Sequence, residues 1–178
     1  MTGDDKARGG GVVVVGVDDS PGARAALVFA LRDAARRAAT VRVVAAHAPP
    51  DYTQVWLDTS RGADDHDGFI AEVRAAAERM VAEVRGELTG EPMPDRVEVV
   101  AVAGLPAPTL IDLSGDADLL VVGSRGRGGF ASMAMGSTSL QCVLHARCPV
   151  TVVRRARVEV EEPASGRPRF EPLGIPLF

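Results

Sequence analysis

Glycines punctuate the stretch "VVGSRGRGGFASMAMGST", Val121 to Thr138, between an apolar run and a serine–threonine pair. Glycine lets backbone N–H groups approach an anion with no Cβ in the way. A helix starting just after it adds free N–H groups and a positive dipole end. The chemistry this composition suits is the holding of phosphates. Gly126 to Ala131 matches the G-x-G-x-x-A turn of dinucleotide folds, which calls for an acid about 20 positions later to meet a ribose. After Asp118 the next acid is Glu159, so that reading fails. A P-loop needs a lysine on the outer phosphates, and so does a protein kinase. Lys6 is the only lysine in the chain, which excludes both. "DDSPG" after the first apolar run lacks the S-G-G-x-D-S pattern of adenylate-forming loops.

Other site chemistries find less support. His47, His66 and His145 are scattered, and Cys142 and Cys148 match neither a CxxC nor a zinc spacing. No metal site is expected, and the two cysteines read as small apolar side chains at a helix–strand junction. No Ser–His–acid set or pocket lysine points to hydrolysis, so no catalytic residue is assigned. A net charge of -4 and 4% aromatic residues argue against nucleic acid and against an anionic membrane surface. With no signal peptide and no long apolar run, the expected setting is the reducing cytoplasm.

The elements that must position the glycines follow from periodicity. Residues 1–10 are polar and glycine-rich, a leader. "VVVVGV" (Val12 to Val17) has the β-branched composition of a strand buried on both faces. Ser20 and Pro21 suit the N-cap and first position of a helix whose stripe is Leu27, Val28, Leu31, Ala34, Ala35 and Ala38. "VRVVAAH" (Val41 to His47) is a second strand, and Ala48 to Asp67 a long polar connection. Phe69, Ile70, Val73, Ala77, Met80, Val81, Val84 and Leu88 then mark a long amphipathic helix. Val97 to Val102 is a third strand and Pro106 to Leu113 a short helix. "ADLLVVGS" is a fourth strand. Leu140, Val143 and Leu144 mark a last helix, and "CPVTVVR" a fifth strand. Strands alternating with helices predict one α/β domain, a parallel sheet with helices on both faces. Residues 155–178 are charged, then rich in proline and glycine, an arm whose Phe170, Leu173, Ile175, Leu177 and Phe178 are too apolar for a solvated linker.

One spacing remains for the glycines: Gly123-x-x-Gly126, nine residues, then Gly136-Ser137. It resembles the nucleotide-binding signature of the universal stress protein family. "VVVVGVDDSPGARAAL" resembles that family's opening strand and helix. The run from Val102 to Arg154 follows its second half, so that the resemblance spans residues 11–154. It implies an open five-stranded parallel sheet of order 3-2-1-4-5, Rossmann-like and of HUP type, with ATP at the switch point between strands one and four. It further implies phosphates on Gly123, Gly126, Gly136, Ser137 and Thr138, and Asp18 at the nucleoside. Gly16, Val17 and Val122 would line the pocket, and the backbone of Ala48 would meet the adenine.

Arg125 and Arg127 add mobile positive charge there, or face solvent, the reading preferred for both. Asp18 has an alternative as a cap for the first helix, and the glycines as a flexible turn. Mg2+ is a candidate companion of the phosphates. The resemblance also implies a homodimer through the edge strand at 149–154; the 155–178 arm lies outside the resemblance, and its apolar residues are expected to dock on this subunit or on the partner. The function expected is that of an ATP-binding stress-response regulator. The alternatives are an interaction module indifferent to nucleotide and a slow ATPase or phosphotransferase.

Overall fold

A computed structural model describes residues 10–48, 63–126 and 135–154. The leader (apart from Gly10), the connection at 49–62, the centre of the glycine stretch at 127–134 and the arm lie outside the described residues. The elements are β1 (Gly10–Gly16), α1 (Pro21–Arg37), β2 (Ala39–His47), α2 (Ala63–Glu87), β3 (Val97–Ala103), α3 (Pro106–Leu113), β4 (Leu119–Gly123), α4 (Ser137–His145) and β5 (Val150–Val153). The sheet order is β3-β2-β1-β4-β5, with every pairing parallel. Helix α2 begins at Ala63, inside the stretch read from sequence as connection, so the polar "DDHD" belongs to its first turns.

The β-branched run at the centre explains the layering. Side chains alternate along a strand, so Val13 and Val15 face one layer while Val14 faces the other. Val13 and Val15 join Leu27 and Leu31 of α1, Val81 and Val84 of α2, and Val41, Val43 and Val121 of neighbouring strands. Val14 joins Val44, Leu120 and Val122 under Leu110 of α3 and Cys142 of α4. Three consecutive valines with no exposed surface are the signature of a strand covered on both sides.

Helix α1 is closed at both ends. The Ser20 hydroxyl accepts the Ala23 N–H at 3.1 Å, and Pro21 occupies the first helical position. At the other end Ala38 adopts a left-handed conformation (φ 53°) and returns its N–H to the last turn. Arg32 meets Glu91 through two bonds of 2.7 Å, and Arg24 reaches Glu83 and Glu87, so arginines of α1 bind both α2 and the turn after it. The Arg32 pair holds the Glu91 carboxyl below its ordinary range through its hydrogen bonds and charge. These pairs are exposed and set the register of the two helices more than they stabilise them.

On the other layer, Cys142 is fully buried. Burial first, and the neighbouring Cys148 second, push its thiol up from 9.0 to about 11. A group whose folded pKa is raised stabilises the fold fully below its unfolded pKa and loses that contribution as pH rises through the folded one. The urea midpoint of the protein is therefore expected to fall between about pH 9 and pH 11, and Cys142→Ala to flatten that slope. Equal slopes in the two proteins would remove the thiol from the account.

Candidate functional site

Strands β1 and β4 lie side by side, but the chain leaves them toward opposite faces, and this divergence opens a cleft beyond their carboxyl ends. On the β1 side, Val17 N–H continues the ladder to the Val44 carbonyl (2.9 Å). The chain then turns at Asp18, whose Oδ1 accepts the Ser20 N–H at 3.0 Å. Thus the Asp18 carboxylate helps shape the entry to α1 while lining the cleft.

On the β4 side the backbone is held at several points. Ser124 N–H donates to the Val153 carbonyl (2.7 Å), and Gly136 N–H donates to the Ser124 carbonyl (2.8 Å). The glycine stretch therefore starts and ends at one neck, Ser124 to Gly136. Inside it, the Ser139 hydroxyl of α4 donates to the Gly123 carbonyl at 2.6 Å and fixes the helix to the strand end.

The three spaced glycines play different parts. A Cβ on Gly123 would lie 2.6 Å from the Gly22 carbonyl carbon and 2.7 Å from its oxygen. Gly123 is thus required by the packing of β4 on the first turn of α1, whatever the cleft holds. A Cβ on Gly126 would meet the Asp18 Oδ2 at 2.7 Å, so its absence leaves that carboxylate its place. A Cβ on Gly136 would find its nearest neighbours at 3.6 Å, an ordinary contact. Its backbone is extended (φ -76°, ψ 159°), which any residue adopts.

Gly136 is also the N-cap of α4, and among the described residues no side-chain hydrogen bond caps that helix. Serine, threonine, aspartate or asparagine there would satisfy a free N–H. Glycine leaves the first turn uncapped, and that turn faces the cleft through Ser137 and Thr138.

The cleft has a volume of about 500 Å3. Of the residues expected from sequence, Gly16, Val17, Asp18, Val122, Gly123, Arg125, Gly126, Gly136, Ser137 and Thr138 line it. Ala48 does not: at the end of β2 the wall is made by Ala46 and His47. Arg127 lies outside the described residues. His47 is the residue the sequence reading passed over, because it was weighed only as a metal ligand. Its position at the last residue of a strand beside β1 was the available signal. Its ring sits 5.5 Å from that of Phe69 on α2, tilted at 45°. Pro106 and Leu110 of α3 close the cleft floor, with Leu110 so near Gly16 that a Cβ there would touch its Cδ1 at 2.7 Å. A larger trough of about 610 Å3 runs between α2 and β3, but it is open and is lined by four alanines with Asp67, Arg74 and Glu78 among the rest.

A family model described as "Universal stress protein family" matches residues 11–154. The chain belongs to the universal stress protein family. Universal stress protein Rv2005c of Mycobacterium tuberculosis is 40% identical over 148 residues, covering 81% of this chain and 45% of that protein. Universal stress protein Rv2623 of the same organism is 33% identical over 147 residues, covering 79% and 46%. This chain spans about half the length of those relatives.

Among solved structures, a universal stress protein UspA from Lactobacillus plantarum is similar at 25% identity (TM-score 0.57, covering 82% of this chain and 99% of that one). A universal stress protein in complex with cAMP is similar at 22% identity (TM-score 0.54, 82% and 98%). The universal stress protein of Archaeoglobus fulgidus in complex with dAMP is similar at 22% (TM-score 0.50, 79% and 94%). At those last identities the likeness concerns the fold.

The geometry separates fold from cradle. Gly123→Ala is expected to destabilise the protein by about 1–3 kcal/mol through overpacking against Gly22. Gly136→Asn caps α4, and its urea midpoint is expected to stay at or above that of the unaltered protein, within roughly 0.5 kcal/mol. Urea titrations of the two variants check this, and equal losses would contradict the division of roles.

Proposed function

We propose that the cleft is an adenine-nucleotide site, with ATP its favoured ligand, and that the protein acts as a nucleotide-binding stress-response regulator and not as an enzyme. The observation that carries this reading is the uncapped first turn of α4 opening onto a cleft that also holds Asp18 and the spaced glycines. Phosphates would lie on the backbone of Gly136, Ser137 and Thr138, near Gly123, Gly126 and Arg125. Each charge-assisted hydrogen bond contributes about 1.5–3 kcal/mol, so a few of them suffice for micromolar affinity. Asp18 would take the nucleoside hydroxyls, because a carboxylate accepts from a ribose and repels a phosphate. The base would lie along Gly16, Val17 and Val122 toward the end of β2, where Ala46, His47 and then Ala48 follow in the chain. Support from relatives is the cAMP and dAMP complexes of proteins sharing this fold.

Asp18 is the only carboxylate among the described lining residues. Among the described residues no group of three or more His, Cys, Asp or Glu side chains could hold a metal ion. A Mg2+ accompanying ATP would thus be carried by the phosphates themselves, with the protein holding the nucleotide. Calorimetric titration of ATP into the purified protein is expected to give a micromolar Kd. Asp18→Asn, which keeps an oxygen for the Ser20 N–H, is expected to weaken it about tenfold. Absence of binding at millimolar nucleotide would sink the proposal, and rapid ATP turnover would replace regulator by enzyme.

The strand edge favours assembly as a second element of the reading. Among the described residues strand β5 is the last of the sheet, and the carbonyls of Pro149 and Val153 point to β4. In a parallel strand alternate residues turn their N–H and C=O to opposite neighbours, so Val150 and Val152 direct theirs outward. An uncovered valine-rich edge invites pairing with another chain. We infer a homodimer through residues 149–154, and light scattering of the full chain is expected to report twice its 18.6 kDa. Val152→Pro, which lacks the outward N–H, is expected to be a monomer. A monomeric full chain would overturn this part.

A further inference from the structure

Helix α4 buries the wrong residues for its composition. Ser139 and Cys142 face the sheet, while Leu140, Val143 and Leu144 are 46%, 46% and 65% exposed. These three lie at i, i+3 and i+4, a single stripe roughly a third of a turn round from the buried face. They make up three of the four large exposed apolar side chains among the described residues. A cluster of this kind on one short helix marks a contact surface.

We propose that residues 170–178 of the same chain are its occupant, packed along α4 as an intramolecular strap. Three features select this segment. First, the path places it there. Val153 is bonded to Ser124 and Ser124 to Gly136, so residue 154 leaves the sheet beside the N-terminus of α4. Residues 155–169 span up to about 50 Å when extended, whereas α4 is only about 13 Å long. Second, the sequence fits the stripe. "FEPLGIPLF" carries Pro172 and Pro176, residues that disfavour a helix, and Leu173, Ile175 and Leu177 at alternating positions, the spacing that would share one side of an extended segment. Third, the charges match. Glu171 precedes this apolar set, while Arg147 is exposed just past the far end of α4. Tethering raises the local concentration of the segment to about the millimolar range, ahead of a second molecule at ordinary concentrations. The strap holds the helix whose opposite end borders the cleft, and it is independent of what the cleft binds.

Methyl-labelled full-length protein tests this by nuclear magnetic resonance. Nuclear Overhauser contacts from the Ile175 methyl to those of Leu140 and Leu144 are expected, unchanged on tenfold dilution. They are expected to be absent from a filtered spectrum of mixed labelled and unlabelled chains. Ile175→Asp is expected to speed amide exchange in α4 about tenfold and to leave the amides of β1 and β4 as they were. No contact from Ile175 to α4 would overturn the proposal. So would a contact seen only between differently labelled chains, which would make the occupant a second copy. Unchanged α4 exchange in Ile175→Asp would overturn it as well.

Discussion

The structure depends on one backbone-to-backbone approach, the end of β4 against the first turn of α1. A Cβ on Gly22 would stand 2.4 Å from the Arg125 carbonyl oxygen, and one on Gly123 would stand 2.6 Å from the Gly22 carbonyl carbon. Neither position tolerates a side chain, because the opposing atoms are main chain and have no rotamer to adopt. This contact brings the start of α1 beneath the chain leaving β4. Asp18 and Gly126 are thereby brought together, and α4 is set so that its first turn opens on the cleft. Ser20 reinforces it, with a hydroxyl that caps α1 and lies 3.5 Å from the Arg125 carbonyl.

Two apolar layers hold that contact in place. The larger, under α1 and α2, is built from valine and leucine with small alanines on α1, and the alanines let the helix lie close to the sheet. The smaller, under α3 and α4, has fewer large side chains and includes the Cys142 thiol. The short helices on the smaller layer rely on backbone and hydroxyl bonds at their ends, such as Ser139 to Gly123. The exposed ion pairs of Arg24 and Arg32 add registration on the side that is already well packed.

Much of this was legible in the residues. The valine runs announced strands covered on both faces, and Ser20-Pro21 announced the start of α1. The strand order came with the family resemblance, since periodicity says nothing about which strands neighbour. What the sequence hid has physical causes. The start of α2 was missed because Asp64, Asp65 and His66 carry no apolar period. Ala48 came with the family resemblance, and the cleft wall at the end of β2 is made by Ala46 and His47, a side-chain placement that composition does not encode. Leu140, Val143 and Leu144 marked the last helix correctly, yet they face outward, because an apolar period locates a helix without saying which face meets the sheet. Gly123 was read as room for a ligand, whereas its neighbour is Gly22, which only tertiary structure reveals.

The two helix starts beside the cleft show how the fold divides its polar resources. Helix α1 begins with a serine cap and a proline, so that its first turn is satisfied from within the chain. Helix α4 begins with a glycine and, among the described residues, no side-chain cap, although a Cβ at Gly136 would meet only ordinary contacts. Unsatisfied N–H groups at a helix start are stabilised by water or by an anion, and a cap would make both superfluous. A glycine at the N-cap of α4 in place of a capping residue forgoes only about a few tenths of a kcal/mol of helix stability. An anion bound at that turn restores it. The first turn of α4 is thus left open to water or to an anion, whereas that of α1 is closed by its own serine. Gly136 matters for the cleft because it withholds a cap, more than because it makes room.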